Sequence, residues 1–429
     1  MSQTGLSYEQ APPYGLPLRF FLTAPLFLML AAVAAIPTAA DWTADPHTLA
    51  AVALTHLLTL GVLGMVMQGA LLQMLPVVVG TPVPASHWVA RLGHLGLAAG
   101  ALLLATGLYR GSPLLLNIAM LALAAGWLPF LAAAAVSLAR ARTASPLTLI
   151  PMRLAWLGAL LTVALGLWLA GVLAGDLDPN GIEQGLGLHV AWGLTGWVLL
   201  LVMGVAYQVV PMLQITPPYP AGYARWAAWV VFAALALLSL ASFAGMSSLA
   251  EAGYGLLGAS LAGFGLVTLD LQRRRRRRLT DATLLFWRLG MLSLVILAPL
   301  PWLYPRLPAE LQGAAAVMGG LIFLLGFAVS VVSGMLYKIV PFLAWFHLQT
   351  QTGARAGSIP NMKEFLPDSE ARRHWWLHLV AVLWLVPAPW LPPAYAAPGL
   401  LLLALAAYML WHNLLGCVRL FRRYGGRLH

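Results

Sequence analysis

The sequence predicts an all-α integral membrane protein of about twelve transmembrane helices, and two observations lead to this prediction. Hydrophobic residues make up 61% of the 429 residues and charged residues only 9%, whereas a soluble domain carries roughly 25% charged residues. Apolar runs of about 20 residues, the length that crosses the hydrocarbon core, recur along the whole chain. No stretch remains for a separate soluble domain, so residues 1–429 are interpreted as a single transmembrane domain.

The apolar runs are separated by short loops that hold most of the polar residues. The segments around 41–49 and 176–186 are polar and are expected to be outside loops. The tenth run is the longest, and a bend is expected at Pro341. The predicted helices lie near residues 16–40, 50–77, 88–109, 113–137, 152–174, 187–213, 225–245, 248–271, 284–304, 312–346, 374–391 and 397–420.

Basic and acidic residues fall into alternate loops, and this asymmetry predicts the orientation because basic loops stay in the cytoplasm. Both termini are then cytoplasmic, in a bacterial inner membrane. The charge of +11 therefore indicates helix orientation in a lipid bilayer, with no nucleic acid expected. The basic loops and tail hold Arg91, Arg140, Arg142, Arg153, Arg225, Arg273 to Arg278, Arg355, Lys363, Arg372, Arg373, Arg419, Arg422, Arg423 and Arg427. The opposite loops hold Asp41, Asp45, Asp176, Asp178, Glu183, Glu251 and Glu310, with Arg110 and Arg306.

Three local features have a second interpretation. The arginine run 273–278 is read as an inside anchor, with a lipid or regulatory site as the alternative. A cleavable signal peptide is the alternative for the first 40 residues, although Arg19 is the only basic residue before or within the start of the apolar run. Cys417 is the only cysteine, which excludes an intrachain disulfide and a cysteine metal cluster.

Three predicted helices end with a similar phrase, a glycine followed seven residues later by a proline. The phrases Gly69–Pro76, Gly204–Pro211 and Gly334–Pro341 close the second, sixth and tenth helices. A spacing of four helices predicts three four-helix repeats, over approximately 16–137, 152–271 and 284–420, arranged as arcs around a pseudo-threefold axis. The alternative is three unrelated tilted helices with small faces and a proline stop.

Twelve helices in three four-helix arcs resemble the catalytic subunit of heme-copper oxidases and nitric oxide reductases. The endings GVAYQVVP and GMLYKIVP look like those of helices six and ten in the C-type oxidases. The resemblance covers the whole helical plan, but its specific part is three short motifs. It implies heme and copper histidines about twenty residues before the prolines of helices six and ten.

Two histidines match that implied position. His56 precedes Pro76 by twenty positions, and His189 precedes Pro211 by two positions more than that. An imidazole in an apolar helix is costly unless something uses it, and histidine is a common axial ligand of heme iron. His56 and His189 are therefore the predicted ligands of one heme b. The alternative is a packed or snorkelling histidine that hydrogen bonds to a neighbour or to interfacial water.

Other ligands that the resemblance implies are missing, so no copper and no oxygen reduction are expected. The family's two histidines on helix ten correspond to Gly319 and Leu321, and its copper histidine on helix six corresponds to Ala191. If the helices are regular, the two histidine offsets point in opposite directions, because two positions along a helix correspond to a rotation of about 200°. In a threefold arrangement such offsets face each other, which predicts a heme between helices two and six.

Several other residues are candidate ligands. His94, His347, His374, His378 and His412 all fall near the predicted cytoplasmic side. His374 and His378 share a helical face, which suits a metal, although interfacial histidines are common. Met318 is a candidate soft ligand, His47 a candidate partner of a heme propionate, and Lys338 is expected to snorkel to water.

The leading functional hypothesis is a heme-b protein in electron transfer or in binding nitric oxide or another diatomic gas, with a quinol or a cytochrome c as the electron partner. Whether it is an enzyme stays open, a heme-dependent oxidoreductase being one form. A transporter or cofactor-assembly factor without redox chemistry is the alternative, although helix centres hold almost no carboxylates. A third hypothesis is a homodimer or a structural subunit of a respiratory complex.

Overall fold

The computed structural model describes residues 8–141, 145–277, 279–353 and 359–428, which form helices and no strand. Eleven helices within these ranges are long and apolar enough to cross a membrane, which confirms an all-α, multi-pass membrane protein. The predicted loop residues Arg142, Arg278 and Arg355 lie outside the described residues. The eleven helices are α1 (Gly15–Ala35), α2 (Leu49–Val79), α3 (Ser86–Arg110), α4 (Pro113–Ala139), α5 (Pro146–Ala174), α6 (Ile182–Gln214), α7 (Ala221–Ala244), α8 (Ser247–Arg273), α9 (Ala282–Arg306), α10 (Ala309–Thr352) and α12 (Pro393–Arg423).

The run predicted at 374–391 is also a helix, but its position and character differ. Helix α11 spans Asp368–Leu385 and is not among the eleven apolar helices. It begins earlier because acidic residues in its first turn, Asp368 and Glu370, favour a helix N-terminus. It ends before Pro387, as expected where a proline restricts the preceding backbone. The charged first turn lowers its mean hydropathy.

Side-chain caps explain where several helices begin. The Thr48 hydroxyl accepts a hydrogen bond from the Ala51 amide at the start of α2. Ser112 and Ser145 act in the same way before α4 and α5, each followed by a proline at the first helical position. Such caps satisfy amide groups that have no partner within the helix.

The chain forms two compact units. The first consists of Met1–Ala11, Met74–Arg278 and Met291–Ala315, and the second of Pro12–Gln73, Leu279–Gly290 and Ala316–His429. Within the first unit, α3 packs on α4, α5 on α6, and α7 on α8. Within the second, α12 packs on α1, α10 and α11, and α1 also packs on α2.

The three helices that carry the repeated phrase share an irregularity that periodicity did not reveal. Each contains a π-helical segment, and that segment ends five residues before the glycine of the phrase. π-Helical turns are rare and are frequent at functional sites. The segments are Thr59–Gly64 in α2, Trp192–Leu199 in α6 and Ile322–Val329 in α10.

The glycines of the phrase each let another helix approach closely. A Cβ atom on Gly69 would lie 2.8 Å from Phe20, on Gly204 3.0 Å from Pro151, and on Gly334 2.8 Å from Phe286. These partners belong to α1, α5 and α9, the first helix of each predicted repeat. Small residues of this kind allow close helix packing in membranes. The repeat bounds themselves stay a prediction.

Candidate functional site

His56 lies in α2, three residues before the π-helical segment that starts at Thr59. Its ring is half-buried. The Nδ1 atom lies 2.8 Å from the carbonyl oxygen of Val52, one turn earlier in the same helix. The ring is therefore held against its own helix by a local hydrogen bond.

His189 occupies the same position in α6, three residues before the π-helical segment that starts at Trp192. Its Nδ1 atom lies 3.1 Å from the carbonyl oxygen of Thr162 on α5. Gly166, one turn further along α5, makes room for the ring, because a Cβ atom there would lie 2.9 Å from Cε1 of His189. Helix α5 therefore both orients the imidazole and accommodates it.

The two hydrogen bonds determine the tautomer of each ring. A carbonyl oxygen has no proton to give, so Nδ1 must carry the hydrogen in both His56 and His189. In a neutral ring Nε2 is then the nitrogen with the lone pair, the form in which imidazole binds a metal. Metal-ligating histidines commonly donate from the other ring nitrogen to a backbone carbonyl in this way.

The structure does not support the predicted rotation between His56 and His189. A rotation of about 200° between the two histidine offsets requires uninterrupted α-helices. Instead, a π-helical segment lies between each histidine and its proline. The segments contain six residues in α2 and eight in α6, which is why the two offsets differ. Counted from the start of the segment, His56 and His189 are equivalent. His56 belongs to the second compact unit and His189 to the first.

The two other candidates near the predicted outer side, His47 and Met318, form hydrogen bonds with neighbouring side chains. His47 is exposed and its Nδ1 atom lies 3.0 Å from a carboxylate oxygen of Asp45. The sulfur of Met318 accepts a hydrogen bond from the indole of Trp390 at 3.4 Å. Neither contact indicates that His47 or Met318 binds heme.

On the predicted cytoplasmic side, Lys338 differs from its expected snorkelling position. Its Nζ atom forms an ion pair with Asp281 at 3.0 Å, and the two side chains are only 21% and 14% exposed. Asp281 also accepts a hydrogen bond from the Leu284 amide at the start of α9. Sequence reasoning missed Asp281, although its position just before an apolar run is typical of a helix cap.

The histidines of that side fall into two groups. His94 is half-buried, His412 is exposed, and the ring of His347 stacks on Tyr14 with centroids 5.7 Å apart. His374 and His378, in contrast, are both 0% exposed. Ser330 on α10 contacts His378, and nothing in the sequence pairs these two residues in advance.

Among the described residues, no group of three or more His, Cys, Asp or Glu side chains is arranged to hold a metal ion. No protein-family model and no curated protein matches the chain.

Proposed function

We propose that the chain is a heme-b-binding membrane protein, a divergent relative of the heme-copper oxidase catalytic subunit, in which His56 and His189 would hold heme iron. One observation carries the proposal. Both histidines precede a π-helical segment by three residues and both use Nδ1 to bind a backbone carbonyl. Two residues far apart in the chain thus share a location and a tautomer that suit iron.

The donor set fits the cofactor. Heme iron takes neutral imidazole nitrogen, and bound heme supplies one-electron chemistry or an iron that binds diatomic gases. The Val52 and Thr162 carbonyls hold the two rings in the tautomer in which Nε2 carries the lone pair, the form that would bind iron. Because residue 166 is a glycine, α5 leaves room for the His189 ring. These residues orient the ligands; the chemistry belongs to the cofactor.

The role we propose is electron transfer with a quinol or a cytochrome c, or binding of nitric oxide or a similar gas. Gly319 and Leu321 replace the histidine pair of the related oxidases, so we propose neither a copper centre nor oxygen reduction. The matching position in α10, three residues before Ile322, is Gly319. Two of the three equivalent positions thus keep an imidazole.

The test is the visible spectrum of the purified full chain and of its variants. The wild type should show a low-spin heme b spectrum that sharpens on reduction with dithionite. His56→Ala and His189→Ala should each abolish the low-spin spectrum, and the double variant should add little. His412→Ala removes an exposed histidine and should leave the spectrum unchanged.

A second pair of variants tests the position of the His189 ring while keeping the histidine itself. Gly166→Ala pushes against the His189 ring and should lower heme occupancy or the low-spin fraction. Gly187→Ala is the matched control, because a Cβ atom there meets no described residue within 4 Å. A colourless, folded protein would contradict heme binding and favour a transporter or assembly factor. One copper per chain would contradict the absence of a copper centre.

We also propose that the basic loops face the cytoplasm of a bacterial inner membrane, with both termini inside. The support is the charge asymmetry of the loops. Reporter fusions after Arg142 and after Arg278 should be active in the cytoplasm, and a fusion near Asp178 should be active in the periplasm. The opposite pattern at any one of these positions would overturn this orientation.

A further inference from the structure

Helix α11 carries two histidines that are completely enclosed. His374 and His378 are one turn apart, both are 0% exposed, and their ring centroids lie 6.0 Å from each other. The ring of Phe286 lies 5.0 Å from that of His374 and 5.6 Å from that of His378. The ring of Tyr337 lies 5.5 Å from that of His374. All four residues belong to the second compact unit.

The hydrogen bonds of Ser330 determine the tautomer of His378. The Ser330 hydroxyl lies 3.0 Å from the carbonyl oxygen of Leu325 and 2.8 Å from Nε2 of His378. Because the carbonyl can only accept, the hydroxyl donates its proton there and must accept from His378. Nε2 of His378 therefore carries the hydrogen, and Nδ1 has the lone pair.

Three of the four ring nitrogens of His374 and His378 have no hydrogen-bond partner among the described residues. These are Nδ1 of His378 and both nitrogens of His374. A buried polar group without a partner costs about 1–3 kcal/mol, so such groups call for an explanation, and a bound ion is one. Here the unpaired atoms come from two imidazoles on one helix face, and one of them is held in a tautomer that can bind a metal.

We propose that His374 and His378 hold one divalent metal ion of the zinc class, at a site separate from the heme. Two histidines one turn apart on a helix are a known arrangement for zinc ligands. With zinc–nitrogen bonds of about 2.0–2.1 Å, two rings that bind one tetrahedral zinc have centroids about 5.2 Å apart, so the observed 6.0 Å would shorten by about 0.8 Å when the ion binds. Ser330 supplies the outer hydrogen bond that orients the His378 ligand.

Two imidazoles do not complete a zinc site, which takes four ligands, and a buried divalent charge also needs compensation. Glu370 lies one turn before His374, so Glu370, His374 and His378 follow one another along a single face of α11. In the structure its carboxylate pairs with Arg373 at 2.8 Å and is 36% exposed. In the structure Glu370 does not form a group of three with the two histidines, so its carboxylate would have to leave Arg373 to bind the ion.

Zinc binding to the purified full chain tests the proposal. The protein carries an affinity tag without histidine, is stripped with a chelator and is then dialysed against zinc chloride. The wild type should bind one zinc per chain, as measured by elemental analysis. His374→Ala and His378→Ala should each weaken zinc binding at least tenfold, about the size of losing a metal-site interaction. His412→Ala should bind as the wild type does.

Two further measurements protect the test against variants that fail to fold. Ser330→Ala should weaken zinc binding by about 10–100-fold without changing the stoichiometry, because it removes only the orienting hydrogen bond. X-ray absorption of the zinc-loaded wild type should show imidazole scattering at about 2.0–2.1 Å. The heme spectrum of His374→Ala should be unchanged, which separates this site from the proposed heme site.

The proposal is overturned if the wild type binds no more zinc than the His374→Ala/His378→Ala double variant. It is also overturned if the absorption spectrum of bound zinc lacks imidazole scattering. In either case a buried water or a neighbouring side chain in another rotamer would satisfy the ring nitrogens instead.

Discussion

Helices α6 and α10 carry the same glycine-to-proline phrase and a π-helical segment at the same distance before it, yet only α6 has an imidazole three residues before that segment. In α6 this imidazole is His189, which bonds to a carbonyl of α5. In α10 the equivalent position is Gly319, and the polar contacts lie around the phrase itself. There Lys338 pairs with Asp281, and Tyr337 lies against His374.

The difference shows how one backbone plan can hold different chemistry. The glycine and the π-helical segment set how the helix packs, and both helices keep them. The side chains at the remaining positions were free to change, so that Gln208 in α6 corresponds to Lys338 in α10. The two helices thus share these backbone features and differ in their polar side chains.

The largest loss of stability is expected from Lys338→Gln, which gives α10 the residue that α6 has at the same position of the phrase, Gln208. Lys338→Gln removes the ammonium group that pairs with the Asp281 carboxylate, and breaking a fully buried ion pair costs about 3–5 kcal/mol. Because these side chains are 21% and 14% exposed, we expect a smaller loss, about 1–3 kcal/mol. Reversible unfolding in mixed detergent micelles measures the free energy.

The control for this variant is the exposed ion pair between Arg372 and Asp368, whose side chains are 40% and 46% exposed. Arg372→Gln should change the unfolding free energy by less than about 1 kcal/mol. Lys338→Gln/Asp281→Asn should recover part of the loss. An effect of Lys338→Gln no larger than that of Arg372→Gln would show that the pair contributes little.

A smaller effect is expected at the tyrosine that the two phrases share. The hydroxyl of Tyr337 accepts a hydrogen bond from Asn413 at 3.0 Å, whereas the buried hydroxyl of Tyr207 has no partner in the described part of the chain. Tyr337→Phe should therefore destabilise the chain by about 0.5–1.5 kcal/mol. Tyr207→Phe should be neutral or slightly stabilising, because it removes a buried unpaired hydroxyl.

Thermal unfolding followed by circular dichroism compares the two variants under identical conditions. Each removes the same atom from the same position of the phrase, so each is the control for the other. Equal losses in the two variants would mean that Tyr207 has a partner, such as a bound water.

The candidate site was predictable only in part. His56 and His189 stand out in the sequence because an imidazole is costly in an apolar helix, and the structure gives both a shared location and tautomer. The rotation between them could not be predicted, since no local sequence pattern identifies a π-helical segment. His374 and His378 show their i, i+4 spacing in the sequence, but their complete burial depends on how Phe286 and Tyr337 pack around them.

Composition and hydropathy by themselves determined the fold class and the approximate helix positions, because a helix is the simplest way to satisfy every backbone group in lipid. They also determined the alternation of basic and acidic loops. Only the tertiary structure decided which partners the polar side chains meet: the Thr162 carbonyl for His189, Asp281 for Lys338, and Ser330 for His378. These contacts join residues of different helices, and the packing of one helix against another is not encoded in the local pattern of either.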